Sequence, residues 1–447
     1  MGDGRCDGAD AALGAAYGGR GRPRLRARPR GGAAGGRCAG ARPALRAAAC
    51  SGASAWWARA AHGRCSRDGL CGELCGVPSD RGAALDLSSL DFVALFASLI
   101  VAATPLVLAA IGELVVEKSG VLNLGVEGMM IMGAVTGFIL AVTTGIPLLG
   151  FVGAAIAGAA LALVFGVLTQ VLLSNQVATG LALTLFGLGL AALLGQSYTG
   201  IRPPQTASLD LPVLSDLPVL GRLLFSHDWV VYFALLLVGA VWWYLNRTRR
   251  GLILRAVGEN HDAAHALGYR VVAIRLGAIA FGGACAGLGG AYLSLVRVPQ
   301  WSEGMTAGIG WIALAIVVFA SWKPSRVILG AWLFGGVTIL QLNIQAANLN
   351  VLAILALVLG VVAAGLLIFN IRRLNGHLMI RSAFIGALGL LSWSLALSFP
   401  DFQLDSAYLS MTPYLTTIAV LVAISGDRTR AALNAPASLG RVFHASA

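Results

Sequence analysis

The residues best suited to chemistry lie in one polar interruption between two apolar stretches. It begins with Glu113, Glu117 and Lys118 and continues through Asn123 to Glu127, with glycines on either side of the asparagine. Ionisable and amide groups at membrane depth are costly, so they mark pathways or mechanical contacts. We interpret the first three as loop charges at the inner face. We predict that Asn123 and Glu127 line a substrate path, where a broken helix presents backbone amides to a polar solute.

A second polar set follows a helical spacing further along the chain. Thr338, Gln341, Gln345 and Asn348 step by three and four residues, so they share one face near the outer end of a single helix. They are candidates for hydrogen bonding to a solute. Hydrogen bonding between helices explains the same pattern equally well.

The apolar stretches contain none of the common catalytic motifs. The apolar stretches hold no Ser/His, paired Asp or His-Glu-x-x-His arrangement, so we predict no catalytic residue. The two lysines, Lys118 and Lys323, follow Glu117 and Trp322, which excludes a phosphate-binding Gly-Lys-Ser/Thr loop. We therefore expect no bound cofactor, and no ATP hydrolysis by this chain alone.

Composition places these residues in a membrane protein. The chain has 57% hydrophobic and 12% charged residues, with a mean hydropathy of +0.79. We predict an all-α, polytopic integral membrane protein of about ten or eleven spanning or re-entrant helices. The second and seventh are glycine-rich and are candidates for broken elements. The predicted centres are Ala102, Gly133, Ala160, Phe186, Leu237, Ala284, Ala315, Leu333, Leu359, Leu390 and Val420.

The loop from Asn246 to Arg275 carries six arginines, which predicts a cytoplasmic position. Within it, Asn260 is a predicted helix N-cap, Asp262 complements the helix N-terminus, Ala263 and Ala264 follow, and Gly268 closes the turn. The loop therefore contains a short interfacial helix.

Residues 1–85 differ sharply from the rest. They hold fourteen arginines, six acidic residues and six of the seven cysteines, with no apolar periodicity. We interpret them as a disordered Arg/Gly/Ala-rich extension, and a start codon assigned too far upstream explains it best. The cysteine spacing and the missing histidine pair give no metal site. Residues 86–346 form the predicted core.

Two motifs carry a family resemblance. GVLNLGVEG at 120–128 and WSEGMTAGIGWIALAIVVFASWKP at 301–324 resemble the permease subunits of bacterial ABC importers for branched-chain amino acids and simple sugars, in the nucleoside and purine branch. MTPYLTTIAVLVAIS and NAPASLG, near the C-terminus, match as well. A stretch of residues 347–409 departs from the family pattern, and we predict that it adds two membrane helices before a final helix and tail at 410–447.

The resemblance implies a function and partners. It implies a nucleoside permease of the bacterial inner membrane that works with a separate ATPase, a second identical or homologous permease and an external binding lipoprotein, and not with nucleic acid. Its ATPase-coupling segment corresponds to Glu259, Asn260, Asp262, Ala263, Ala264 and Gly268, although the family has Glu where Asp262 stands. Ribose-like sugars or branched-chain amino acids are alternative substrates. The rival class is an ion-coupled secondary transporter, for which Glu127 is the one strong carboxylate.

Overall fold

The structure is a computed structural model, and the part of the chain that it describes lies within residues 84–447. The described residues are 92–206, 225–347, 376–399, 406–425 and 434–443, with scattered helical positions between 352 and 367. The predicted extension at 1–85 and most of the predicted first insertion helix lie outside them.

The described residues form helices and no β-strand. The long helices of the first half are α1 (Phe92–Lys118), α2 (Val126–Thr144), α3 (Pro147–Gly166, prolonged by a π-helical turn at Val167–Val171), α4 (Gln176–Gly195) and α5 (Trp229–Arg247). Two short helices, α6 (Arg249–Glu259) and α7 (His261–Ala266), lead to α8 (Val271–Tyr292), which a π-helical turn prolongs at Leu293–Arg297. The remaining helices are α9 (Ile309–Phe319), α10 (Pro324–Ala347), α11 (Gly376–Ser398), α12 (Ser406–Leu409) and α13 (Thr412–Ser425).

The helices confirm the predicted membrane fold. Seven helices among the described residues are long and apolar enough to cross a membrane, namely α1 to α5, α8 and α10. Each of the first eight predicted centres falls within one helix, and Leu390 and Val420 fall in α11 and α13. The seventh element, a candidate for a broken helix, is the short helix α9 of 11 residues. The second is a continuous helix of 19 residues, and the non-helical segment lies before it.

Small residues hold the core of the bundle together. Helix α8 packs on α1, α2 and α3 along its glycine- and alanine-rich face. Gly133 of α2 lies against the backbone of Gly287, and Gly158 of α3 lies against Gly283 and Gly287. Lipid gives helices no hydrophobic drive to associate, so this backbone contact supplies the packing energy.

The contacts divide the loops between two ends of the bundle. At one end, the turn after α1 meets Gly258 of α6 and the segment 434–443, while Arg275 meets Gln170 of the π-helical turn after α3. At the other, Tyr414 donates a hydrogen bond to the carbonyl of Ala307, and Trp301 packs on Gly195. The first end contains the loop predicted to be cytoplasmic, so we call it the inner end and the second the outer end.

Two glycines on α4 allow the packing to be tested on one helix. A Cβ atom at Gly187 would lie 2.7 Å from the backbone oxygen of Gly128 on α2, whereas a Cβ at Gly189 would meet nothing within 4 Å. We expect Gly187→Ala to destabilise the bundle by about 1–3 kcal/mol through overpacking. Gly189→Ala should be neutral or stabilising by up to about 1 kcal/mol through helix propensity. Thermal unfolding in detergent measures both, and equal melting temperatures would contradict the packing.

Candidate functional site

The first buried carboxylate, Glu113, fixes the turn that enters α2. Its Oε1 accepts a hydrogen bond from the backbone N–H of Asn123 at 3.3 Å, and its Oε2 lies 3.5 Å from the Asn123 amide nitrogen. The Asn123 Oδ1 in turn accepts from the backbone N–H of Gly125 at 2.9 Å. Both side chains are buried, so the turn is held from inside the bundle.

The second carboxylate, Glu117, lies one turn further along α1 and binds the turn between α9 and α10. Its Oε2 accepts a hydrogen bond from the indole Nε1 of Trp322. Trp322 and Ser321 both have positive φ angles, 54° and 49°, in the turn between α9 and α10. Residues with side chains rarely adopt this conformation, and the strain persists only where the surroundings fix it. The interpretation of Glu113 and Glu117 as loop charges is therefore wrong, because both lie within α1 and bind other segments.

The third carboxylate, Glu127, joins the start of α2 to the start of α9. Its Oε2 accepts a hydrogen bond from the backbone N–H of Gly310 at 2.8 Å, and the Thr306 hydroxyl lies near the same group. An anion at a helix N-terminus is favoured by the unpaired amides and by the helix dipole. Oε1 of Glu127 and Oγ1 of Thr306 are buried without a hydrogen bond of good geometry among the described residues.

The other predicted path residues that the structure describes lie on α10. Thr338 donates a hydrogen bond to the Phe334 carbonyl in its own helix at 3.0 Å, Gln341 is buried, and Gln345 is partly buried. No hydrogen bond among the described residues joins Thr338 or Gln341 to Asn123 or Glu127. Asn348 lies outside the described residues. A shared role in a substrate path stays a prediction.

The predicted coupling segment forms the short helix α7 at the inner end. The Asn260 side chain accepts from the backbone N–H of Ala263 at 3.0 Å, which makes it the N-cap, and Gly268 ends the turn with a φ of +87°. Glu259, Asp262 and Ala263 are exposed, whereas Ala264 is buried beneath them. Leu267 is 77% exposed beside Gly268, so α7 ends on an apolar side chain in solvent.

A segment near the C-terminus, Asn434 to Phe443, lies across the inner end, and we call it the strap. The backbone N–H groups of Ser438 and Gly440 donate to the carbonyls of Gly258 and Gly120, at 3.0 and 3.1 Å. The Lys118 Nζ donates to the Asn434 carbonyl at 2.9 Å. The Phe443 ring makes edge contacts with His261 and His265 of α7. The strap therefore joins α7 to the turn that follows α1.

Arg275 is the buried cation beneath the strap. It has no exposed surface, and its guanidinium donates to the backbone carbonyls of Ser119 and Arg441 and to Oε1 of Gln170. Its Nη2 also lies 3.4 Å from Nδ1 of His261. Cations are stabilised near the carbonyl ends of helices, which is the environment of Ser119 and Gln170. Four separate segments meet at this one side chain.

Sequence reasoning placed Arg275 among the charges of a basic loop and missed this role. The available signal was its position after the apolar run Val271 to Ile274, where an arginine has little reason to be exposed. The strap was noted only through its resemblance to a family motif. Among the described residues, no group of three or more His, Cys, Asp or Glu side chains is placed to hold a metal ion.

Removing the Glu127 carboxylate tests the junction between α2 and α9. We expect Glu127→Ala to destabilise the protein by about 1–3 kcal/mol, because the buried Gly310 N–H loses its acceptor. Glu127→Gln keeps an acceptor oxygen and should lose less. Thermal unfolding in detergent measures the difference. The control is Glu303→Ala, because Glu303 is exposed and lies on the loop that also holds Thr306. An effect of Glu127→Ala no larger than that of Glu303→Ala would contradict the junction.

His261 should make the attachment of the strap depend on pH. Burial, followed by the charge of Arg275, lowers the pKa of His261, Arg441 lowers it further, and Asp262 opposes the shift. A histidine whose pKa falls on folding stabilises the folded state fully above its unfolded pKa of about 6.5, and less as the pH falls below it. We expect hydrogen-exchange protection of residues 434–443 to fall as the pH drops below about 6.5.

The His261→Gln variant should remove this response, because glutamine does not titrate. His265→Gln is the matched control, since that ring also touches Phe443 but is exposed. Protection that changes equally with pH in both variants and in the unaltered chain would contradict the role of His261.

Comparison with known proteins relates the chain to a family of membrane permeases. The family model described as branched-chain amino acid transport system / permease component matches residues 95–364. A Haloferax volcanii protein named as a putative glucose ABC transporter permease is 42% identical over 253 residues, which cover 56% of this chain and 77% of that protein. A Lactococcus lactis nucleoside ABC transporter permease is 32% identical, over 54% of this chain and 79% of its own length. A Bacillus subtilis guanosine ABC transporter permease is 33% identical, over 53% and 78%.

No solved structure is significantly similar to the chain. The family model nevertheless covers more than half of the sequence, including the three carboxylates, α7 and Arg275. The chain therefore belongs to the permease-component family of branched-chain amino acid transport systems, and it is a multi-pass membrane permease of the ABC transporter class.

Proposed function

We propose that this permease moves nucleosides, or closely related small solutes, through a path whose opening is driven by a separate ATPase chain. The observation that carries the proposal is α7, a capped helix that presents Asp262, Ala263 and Leu267 to solvent at the inner end. A motor subunit needs such a rigid, exposed element to push on the bundle. The sequence contains no phosphate-binding loop of its own, so the motor is a partner.

The contacts of the inner end supply a route from α7 into the membrane. His261 of α7 touches Arg275, Arg275 binds the Ser119 carbonyl, and the strap binds Gly120. The turn from Ser119 to Gly125 then leads to Asn123 and to the Glu127 junction. Displacement of α7 by a partner would thus act on the segment that holds α2 and α9 together. Alternating access requires that the partners bind the two states with different affinity.

The Glu127 junction is the best candidate for contact with a polar solute. Glu127 and Thr306 each keep a buried oxygen without a hydrogen bond of good geometry among the described residues, next to the amide end of α9. Hydroxyl and amide groups of a nucleoside could pair with these atoms. Thr338, Gln341 and Gln345 remain candidates for a second set of contacts nearer the outer end.

Outside the membrane, we propose that an external binding lipoprotein delivers the solute to the loops at 200–228 and 301–307. Residues 207–224 of the first loop lie outside the described residues. A second permease chain, identical or homologous, would complete the path. The importer as a whole thus needs three partners besides the lipid bilayer.

The relatives favour two substrate classes. Two of them are named as nucleoside or guanosine permeases, at 32% and 33% identity. The protein named as a putative glucose permease is 42% identical, which makes a simple sugar the second candidate. Nucleosides and sugars share a hydroxylated ring, and both require hydrogen-bonding partners within the membrane.

The substrate can be identified in the assembled complex. The permease, its ATPase and its binding protein would be reconstituted in proteoliposomes, and ATP hydrolysis measured with guanosine, glucose or leucine. We expect guanosine to stimulate hydrolysis and to be imported. Stimulation by glucose alone would replace the nucleoside proposal with the sugar proposal. Import driven by an ion gradient without an ATPase would overturn both.

Gly268 tests the coupling helix in the same assay. Its φ of +87° penalises a β-branched side chain, by about 1–2 kcal/mol for a left-handed conformation, whereas asparagine tolerates it better. A Cβ there meets nothing within 4 Å, so the effect is conformational. We expect Gly268→Val to reduce solute-stimulated hydrolysis roughly tenfold. Gly268→Asn should stay close to the unaltered chain.

The two Gly268 variants should insert equally well, which gel filtration and thermal unfolding would establish. If Gly268→Val supported full uptake, α7 would not be the contact with the motor.

A further inference from the structure

A cleft at the inner end has an amphiphilic lining that the proposed transport path does not use. It lies between α5 and α8 and has a cavity volume of about 780 Å³. Helix α5 packs on α1 and α6, whereas its contact with α8 is sparse. The facing surfaces carry small residues, which leave space between the two helices: Ala240, Ala273 and Gly277.

The position of the cleft along the helices places it in the inner half of the bundle. Its walls include Val115 near the end of α1, Val241 near the end of α5 and Ile274 near the start of α8. Phe281 is the lining residue of α8 furthest from the inner loops, and Leu254 of α6 lines the cleft nearer to them. Every lining residue away from the inner mouth is apolar.

The mouth of the cleft has the opposite character. Arg250, Tyr244 and Tyr269 line it where α5 ends and α6 begins. Arg250 is exposed, and the described part of the chain gives it no ion pair. Arg247 and Arg249 lie beside it and are also exposed. An unpaired cation at the rim of an apolar cleft favours a ligand with one anionic end and a long apolar body.

We propose that this cleft binds an anionic phospholipid of the inner leaflet, with its phosphate at Arg250 and an acyl chain between α5 and α8. Basic sites between membrane helices at the cytoplasmic face recognise anionic headgroups, and each arginine near the surface contributes about 1 kcal/mol. Tyrosines are enriched at this depth, where their hydroxyl groups meet the headgroups. A polar transport substrate does not fit, because the body of the cleft offers it no hydrogen-bonding partner.

The bound lipid would hold α6 against α8, and α6 leads directly into α7. The cleft therefore links lipid composition to the position of the segment on which the motor is proposed to act. Lipid binding itself does not depend on the transported solute, so its test is separate from that of the proposed function.

Native mass spectrometry of the purified full-length chain tests the site with two lipids of identical acyl chains, phosphatidylglycerol and phosphatidylcholine. We expect about fivefold preference for phosphatidylglycerol, as one arginine predicts. Arg250→Gln should abolish this preference, whereas its neighbour Arg249→Gln, which does not line the cleft, should retain it. Equal retention of the two lipids by the unaltered chain would overturn the proposal.

Filling the cleft with a larger side chain gives a second, independent test of lipid binding. A Cβ atom at Gly277 or at Gly239 would meet nothing within 4 Å, but only Gly277 lines the cleft. We expect Gly277→Leu to reduce the binding of both lipids and Gly239→Leu to leave it unchanged. Unchanged binding in Gly277→Leu, or a disulfide between two copies of a Gly277→Cys chain, would overturn the proposal, the latter because a second copy would then occupy the cleft.

Discussion

Hydrogen bonding inside lipid is the constraint on which this structure depends. The interior of a membrane offers no water to satisfy a helix end, so an interrupted helix is possible only where the protein itself supplies partners. Glu113, Glu117 and Glu127 supply them, each from a continuous helix to an interrupted segment. The turn at Asn123, the turn at Trp322 and the start of α9 thus exist because three carboxylates are buried with them.

The inner end solves a related problem with a positive charge. Arg275 is buried against carbonyl oxygens from three segments, one of them the strap, and against the His261 ring from a fourth. Neutral donors could satisfy one or two of these carbonyls, but a guanidinium carries five N–H groups in a fixed geometry and reaches several at once. The short helix α7 therefore rests on a platform that is bonded to the same turn that Glu113 holds from within the bundle. The exposed helix α7 and the buried Glu113 are thus connected through the few residues around Ser119.

The membrane fold could be predicted from the sequence because apolar length is a local property. The centres of α1 to α5 and α8 were correct. The second and seventh elements were candidates for broken helices, but α2 is continuous and α9 is a short helix, and the irregular segments precede them. The cap of Asn260 and the turn at Gly268 were also local and were confirmed. What failed was the assignment of Glu113 and Glu117, because a charge near a predicted helix end gives no sign of which way it faces. The partners of these residues, Asn123 and Trp322, are set by tertiary packing, and so are those of Arg275.

For the candidate site residues too, local features were predictable from the sequence and tertiary partners were not. Asn123 and Glu127, which were predicted to line a substrate path, are buried beside the apolar run that follows them, and their role in a path stays a prediction. Their partners at Met129, Gly310 and Thr306 were not predictable from spacing. Thr338, Gln341 and Gln345 follow helical periodicity, but periodicity identifies a shared face and not what that face meets.

The strap also has a consequence for biosynthesis. Ser438 pairs with Gly258, and Gly440 pairs with Gly120, across most of the length of the described chain. The ribosome makes the strap after all the segments that it contacts, so the strap can bind them only once they have been made. The carbonyl groups of Gly120 and Gly258 therefore lack their strap partners until translation has passed Gly440. Among the described residues, the inner end is thus completed by the segment that is translated last.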